Sequence, residues 1–170
     1  MSWKRGTIAA LAVGVLLAGS AGCGTSGAAE GGGTASPVGR VLEDTDADGR
    51  HYREVDEKGA PRVRVEVEPD ADGSWDVRLT VTDFRFSPVG AGKRATPGHG
   101  TARLFVDDRP VAELRRTSHR IPAGYLPHGT HQVTARLYAD DGTVWAVDGE
   151  PVESTAAITA SSAEPKGATR

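Results

Sequence analysis

Residues 63–81, VRVEVEPDADGSWDVRLTV, decide the fold class of this chain. Apolar and polar residues alternate on both sides of the short segment 70–73, DADG, which has the composition of a tight turn. Strict alternation puts one set of side chains on a buried face and the other set in water, as in half-buried antiparallel strands. The apolar set consists of Val63, Val65, Val67, Trp75, Val77, Leu79 and Val81.

The same alternation of apolar and polar residues continues to about residue 160. Short apolar segments occur at 102–106, 111–114, 133–137, 144–147 and 156–158, and turn-forming residues separate them. After residue 22 the sequence has no apolar stripe at helical spacing over three turns. The chain is therefore predicted to be all-β, with seven or eight strands in a single antiparallel, immunoglobulin-like β-sandwich over residues 61–160. Trp75, Trp145, Phe84 and Phe86 are expected to supply most of the core volume.

Residues 1–22 have the pattern of a cleaved export signal. Lys4 and Arg5 form a positive start, an apolar segment follows at 7–18, and small residues come next. The apolar segment is shorter than the roughly 20 residues that span a bilayer. A signal helix that is removed on export is therefore favoured over a permanent anchor.

The only cysteine of the chain, Cys23, directly follows this leader. Residues 17–23, LAGSAGC, resemble the lipobox of bacterial lipoproteins, although Ser20 stands where that motif usually has leucine. The resemblance implies a thioether-linked lipid on Cys23, which would hold the protein on the extracytoplasmic face of the cell membrane. Ordinary secretion, with cleavage at the same small residues and a free thiol, is the alternative.

The remaining segments differ in composition. Residues 23–40 are rich in Gly, Ala, Ser and Thr and are predicted to be the lipid attachment point and a flexible linker. Residues 41–60 are predicted to form an acidic lead-in segment, and residues 161–170 a disordered tail.

The net charge bears on the class of partner. Without Lys4 and Arg5, 18 of the 20 basic residues remain against 23 acidic ones, a formal charge of −5. This balance argues against a nucleic-acid partner.

Residues 61–158 resemble an exported bacterial β-sandwich family with a GHAHLYVDG-type motif. The matching stretches include DFRFSP at 83–88, TARLFVDD at 101–108 and AVDGEPV at 146–152. The resemblance implies an immunoglobulin-like or cupredoxin-like fold and no established activity. Thr101 and Arg103 occupy positions where the family has histidines, whereas His119 and His131 match histidines of the family.

Two patterns in the sequence suggest metal sites. Copper could bind to His99, His119 and His131 if these imidazoles converged, although the chain offers no second cysteine or methionine ligand for a blue-copper site. Solvated or hydrogen-bonded loop histidines are the alternative. Asp44, Asp46, Asp48 and Gly49 match the first half of a calcium loop, but Val55 occupies the twelfth position, where a bidentate Glu is required. An acidic turn is the alternative there.

The sequence gives little indication of a catalytic site. Ser118 and His119 are neighbours on a predicted strand, so their side chains should point to opposite faces and could not exchange a proton. We therefore predict a non-catalytic, membrane-anchored binding or structural module, with a copper-handling lipoprotein as the alternative. The sequence identifies no ligand.

Overall fold

The structure, a computed structural model, describes residues 38–161. The predicted leader, Cys23, most of the linker and nearly all of the tail lie outside the described residues. Within them the chain is all-β, and no helix is present that could cross a membrane. The strands are β1 (Arg40–Thr45), β2 (His51–Glu54), β3 (Arg62–Pro69), β4 (Trp75–Thr82), β5 (Arg85–Phe86), β6 (His99–Val106), β7 (Arg109–Leu114), β8 (Ser118–Ile121), β9 (Gly129–Tyr138), β10 (Val144–Val147), β11 (Glu150–Pro151) and β12 (Glu153–Ala160).

The strands form two sheets. The smaller sheet has the order β3-β4-β8 and is antiparallel throughout. The larger sheet is mixed and curled, with β1-β2-β10-β9-β6-β5 as its path. Three further strands join it beside this path: β11 pairs with β10, β12 with β9 and β7 with β6.

The hairpin predicted from residues 63–81 is confirmed. Strands β3 and β4 pair with Val65 opposite Leu79 and Val67 opposite Val77, and the 70–73 turn closes with a 3.0 Å hydrogen bond from the Gly73 amide to the Asp70 carbonyl. Val77 and Leu79 are each only 2% exposed. The alternation therefore predicted the buried face of this hairpin, and the turn at 70–73 predicted its pairing.

One hydrophobic core joins the two sheets. The small sheet contributes Val65, Val77 and Leu79, and the facing residues of the large sheet lie on β6 and β9. Trp145 and Phe84 belong to this core, and Trp75 and Phe86 pack against it at its edge. The inward residues of β6 and β9 are Ala102, Leu104, Val106, Val133, Ala135 and Leu137.

The prediction of exclusively antiparallel pairing is wrong at two places. Strand β2 runs parallel to β10, and β5 runs parallel to β6. In β10, Val144, Trp145 and Ala146 are all fully buried. A strand that is covered on both faces lacks the alternation that marks a half-buried antiparallel strand. Periodicity also gives no information about the direction of a partner that lies far away in the sequence.

The acidic lead-in segment 41–60 contributes β1 and β2 to the large sheet. Arg53 fixes this segment against the body of the domain. Its guanidinium donates to the Asp141 carboxylate at 2.6 Å, to Thr143 Oγ1 at 3.0 Å and to the Val38 carbonyl at 3.3 Å. The ordered domain thus begins well before residue 61.

The chain changes sheets between Thr82 and Arg85. Asp83 has a positive φ of 53°, a backbone conformation that Asp tolerates better than most residues. After it, β5 pairs with β6 of the large sheet. Phe84 and Phe86 pack edge to face, with ring centroids 5.3 Å apart. This transfer explains why these two phenylalanines are out of phase with β4.

Candidate functional site

The described residues bring together none of the three candidate copper ligands. Thr101 on β6 pairs with Tyr138 on β9, so His99 lies near the end of β6 that is farthest from His131. About nine strand residues, roughly 30 Å along a straight strand, separate the backbone positions of His99 and His131. His119 lies on β8 of the other sheet, opposite Val77. No group of three or more His, Cys, Asp or Glu side chains within residues 38–161 is arranged to hold a metal ion.

His131 is held by two hydrogen bonds. Its Nδ1 lies 2.7 Å from an Asp107 carboxylate oxygen and its Nε2 lies 2.9 Å from the Pro127 carbonyl. The imidazole is buried, and these contacts raise the pKa of His131, the Asp107 hydrogen bond most and the Pro127 carbonyl next. Both ring nitrogens are occupied, so this histidine serves as a tie between the β6–β7 turn and the loop before β9.

The other two candidate histidines are not held through both ring nitrogens. His99 Nδ1 lies 2.8 Å from the Pro97 carbonyl. His119 is half-buried, and this burial, followed by the positive charge of Arg116, lowers its pKa. Its neighbour Ser118 is exposed on the opposite face of β8.

The calcium-like segment is a turn around a buried carboxylate. One oxygen of Asp46 accepts the amides of Asp48 at 3.0 Å and Arg50 at 2.9 Å, and the other accepts the Tyr138 hydroxyl at 3.0 Å. Burial and this Asp46 contact raise the pKa of Tyr138 to about 12. Asp44 and Asp48 are exposed, so the three carboxylates do not converge.

A cavity of about 670 Å³ opens at the end of the domain where the described chain begins. This volume lies within the range of small-molecule sites. Four separate segments line the cavity, at 38–40, 54–61, 97–98 and 145–148. We call it the end cavity.

Hydrogen bonds between these segments fix the walls of the end cavity. The Val55 amide donates to the Ala146 carbonyl at 3.0 Å, which continues the parallel pairing of β2 with β10. The Gly149 amide donates to a Glu54 carboxylate oxygen at 3.0 Å. Gly39 lies so close to the Glu54 carbonyl that a Cβ at this position would clash with it. The cavity is therefore part of the packed domain.

Trp145 lines the end cavity and is 0% exposed. Its indole Nε1 is the one buried side-chain nitrogen or oxygen in residues 38–161 that has no hydrogen-bond partner. Buried donors are nearly always paired, so an unpaired one calls for a specific explanation.

The end cavity is lined by both apolar and charged side chains. The apolar side chains are those of Val38, Val55, Pro61, Pro97 and Trp145, and the charged ones are those of Arg40, Glu54, Asp56, Glu57, Lys58 and Asp148. In the described part of the chain, none of these six charged groups forms an ion pair. Four acids against two bases give these charged groups a formal charge of −2.

Sequence reasoning placed Trp145 in the core and missed the end cavity. The cavity depends on the parallel pairing of β2 with β10, which joins residues about 90 positions apart, and no local pattern encodes that pairing. Residues 54–58, EVDEK, belong to the stretch that the sequence predicted only as an acidic lead-in segment.

No protein-family model, curated protein or solved structure matches this chain.

Proposed function

We propose that this chain is a membrane-anchored lipoprotein on the extracytoplasmic face of the cell, held by a lipid on Cys23. Its β domain, a sandwich of the immunoglobulin-like or cupredoxin-like kind, acts as a non-catalytic binding module. The observation that carries the anchor is the position of the only cysteine directly behind an export-type leader. Two acyl chains on one residue give stable membrane attachment, whereas one chain gives marginal attachment.

The end cavity supports the binding role. It is a concave site lined by both apolar and charged side chains, and none of these charged groups forms an ion pair within residues 38–161. Such a combination is typical of small-ligand sites. The formal charge of −5 after removal of the leader favours partners other than nucleic acids.

Replacement of the cysteine tests the anchor. Full-length Cys23→Ser expressed in a native-type bacterial host should leave the membrane fraction, with a roughly tenfold or greater drop in membrane-bound protein. Thr25→Ser, a matched change two residues farther along, should leave the fractionation unchanged. If Cys23→Ser stays with washed membranes to the same extent as the unaltered chain, the proposal is wrong.

A further inference from the structure

We propose that the loop at residues 88–94, PVGAGKR, inserts its apolar tip into the surface of an anionic bilayer. We call this segment the valine loop. The inference rests on the proposed lipid anchor at Cys23 and goes beyond it. It gives the β domain a membrane contact of its own, and therefore a defined orientation on the membrane.

The tip of the valine loop is apolar and stands clear of the domain. Val89 is 89% exposed, more than any other large apolar side chain within residues 38–161. A Cβ at Gly90 or Gly92 would meet no atom within 4 Å. A single exposed valine is common on protein surfaces and needs no explanation alone. The setting of Val89 therefore decides whether it is a contact point.

Basic side chains flank the apolar tip. Arg85 precedes it, Lys93 and Arg94 follow it, and all three are exposed. None of the three forms an ion pair in the described part of the chain. Residues 84–99 contain no Asp or Glu, and the acids of the end cavity belong to other segments. An apolar tip with cations beside it suits a bilayer surface that carries anionic headgroups.

Both ends of the valine loop are fixed to the domain. The Arg115 guanidinium donates to the Ser87 carbonyl at 3.1 Å and to the Pro88 carbonyl at 3.2 Å. The Ser87 hydroxyl donates to an Asp140 carboxylate oxygen at 2.8 Å. At the other end, Ala95 is buried in the hydrophobic core. A loop that is held in this way loses less conformational freedom on binding than an unrestrained segment does.

The valine loop lies at the end of the domain where the described chain begins. Pro97 and Gly98 directly follow the loop, and they line the end cavity together with Val38. Only the fourteen residues 24–37 separate Val38 from Cys23. A Gly-rich chain of this length has a root-mean-square reach of about 20 Å. A lipid on Cys23 would hold the loop close to the headgroups, where the high local concentration makes even a weak contact effective.

A fluorescent label measures the insertion. In the chain from residue 23 onward with Cys23→Ser, Val89→Cys introduces the only thiol, which is labelled with nitrobenzoxadiazole. Vesicles of phosphatidylglycerol and phosphatidylcholine at millimolar lipid should raise its emission at least about twofold, because the label leaves water for the apolar interface. Vesicles of phosphatidylcholine alone should give a smaller rise, because the flanking cations gain no attraction there.

Tyr125 provides the matched control. Its side chain is 51% exposed in the loop after β8, and β8 ends at Ile121 opposite Trp75, at the other end of the small sheet from Thr82. Tyr125→Cys with the same label should therefore show no rise with either kind of vesicle.

Unlabelled variants test the native side chain. In flotation with the phosphatidylglycerol vesicles, Val89→Asp should reduce the bound fraction of the Cys23→Ser chain roughly three- to tenfold, because a carboxylate replaces the apolar tip. Tyr125→Asp should leave the bound fraction unchanged. Thermal unfolding of each variant establishes that it is folded.

The inference is overturned if the label at position 89 shows no rise on anionic vesicles, if both kinds of vesicle give the same rise, or if Val89→Asp binds as well as its parent. These measurements use a chain without lipid, so their failure leaves the acylation of Cys23 untouched. Conversely, retention of Cys23→Ser on washed membranes refutes the anchor and leaves the comparison of vesicles unaffected. The two failures are therefore distinguishable.

Discussion

His131 lies between two acceptors, the Asp107 carboxylate and the Pro127 carbonyl, and only a doubly protonated ring can donate to both. Its pKa in the folded protein is raised above the usual 6.5, so its contribution to stability is complete below about pH 6.5 and is lost as the pH rises through the raised value. The pKa of Asp107 is lowered below 3.8, first by the His131 hydrogen bond and then by the Gln132 amide, so its contribution is lost as the pH falls through that lowered value.

The unaltered chain should lose the His131 contribution to stability as the pH rises from about 5.5 to about 8.5. We therefore predict that His131→Gln makes the decrease in the free energy of unfolding over this pH range smaller. Denaturant unfolding of both proteins at the two pH values measures this difference. His119→Gln is the control, and its effect on the pH dependence of stability should have the opposite sign. The pKa of His119 is lowered, so its contribution to stability is lost as the pH falls. An identical pH dependence for His131→Gln and the unaltered chain would show that the tie is not formed in solution.

The histidines also show the limit of prediction for single residues. The sequence identified His131 as a possible ligand but gave no sign that Asp107, 24 positions earlier, would occupy one of its nitrogens. The partner depends on the turn between β6 and β7, where Asp107 and Asp108 both adopt positive φ angles of 48° and 63°. Turn-forming residues predicted this turn, but they did not predict where its carboxylate would lie.

At the scale of the elements, Gly100 determines how closely β6 can approach the end of β9. It has a φ of 150°, and a Cβ on this residue would lie 1.8 Å from the Tyr138 carbonyl oxygen. Any side chain at this position would force the two strands apart. Tyr138 carries the hydroxyl that binds buried Asp46, so separation of the strands would also disturb that contact.

Gly100→Ala should therefore destabilise the domain by about 1–3 kcal/mol or more, from backbone strain and the displaced strand. Gly92→Ala is the matched control, since nothing lies within 4 Å of a Cβ there. Thermal and denaturant unfolding of the two variants provide the comparison. Equal stabilities would contradict the close approach of β6 and β9.

The elements differ in how well the sequence predicts them. The β3–β4 hairpin was predictable, because Val65 and Leu79 sit in clean alternation on either side of a recognisable turn. The pairing of β2 with β10 was not predictable, because Arg53 and Trp145 are brought together across most of the domain. Alternation indicates which face of a strand is buried, but not which strand lies beside it.

On the scale of the whole molecule, the candidate site is a product of topology. Four segments that are distant in sequence form the end cavity, and one of them begins at Val38, where the described chain starts. Among the residues most conspicuous in the sequence, His99, His131 and Asp46 instead form hydrogen bonds within the fold and do not converge on one site. The cavity is marked by charged side chains that form no ion pair within residues 38–161, and recognising them requires three-dimensional information.

Mass spectrometry of the N-terminal peptide, from protein extracted from membranes of the native-type host, tests the proposed anchor most directly. The account predicts a first residue Cys23 whose mass is increased by a thioether-linked diacylglycerol. A peptide that retains Met1, or one that begins with an unmodified Cys23, would contradict it.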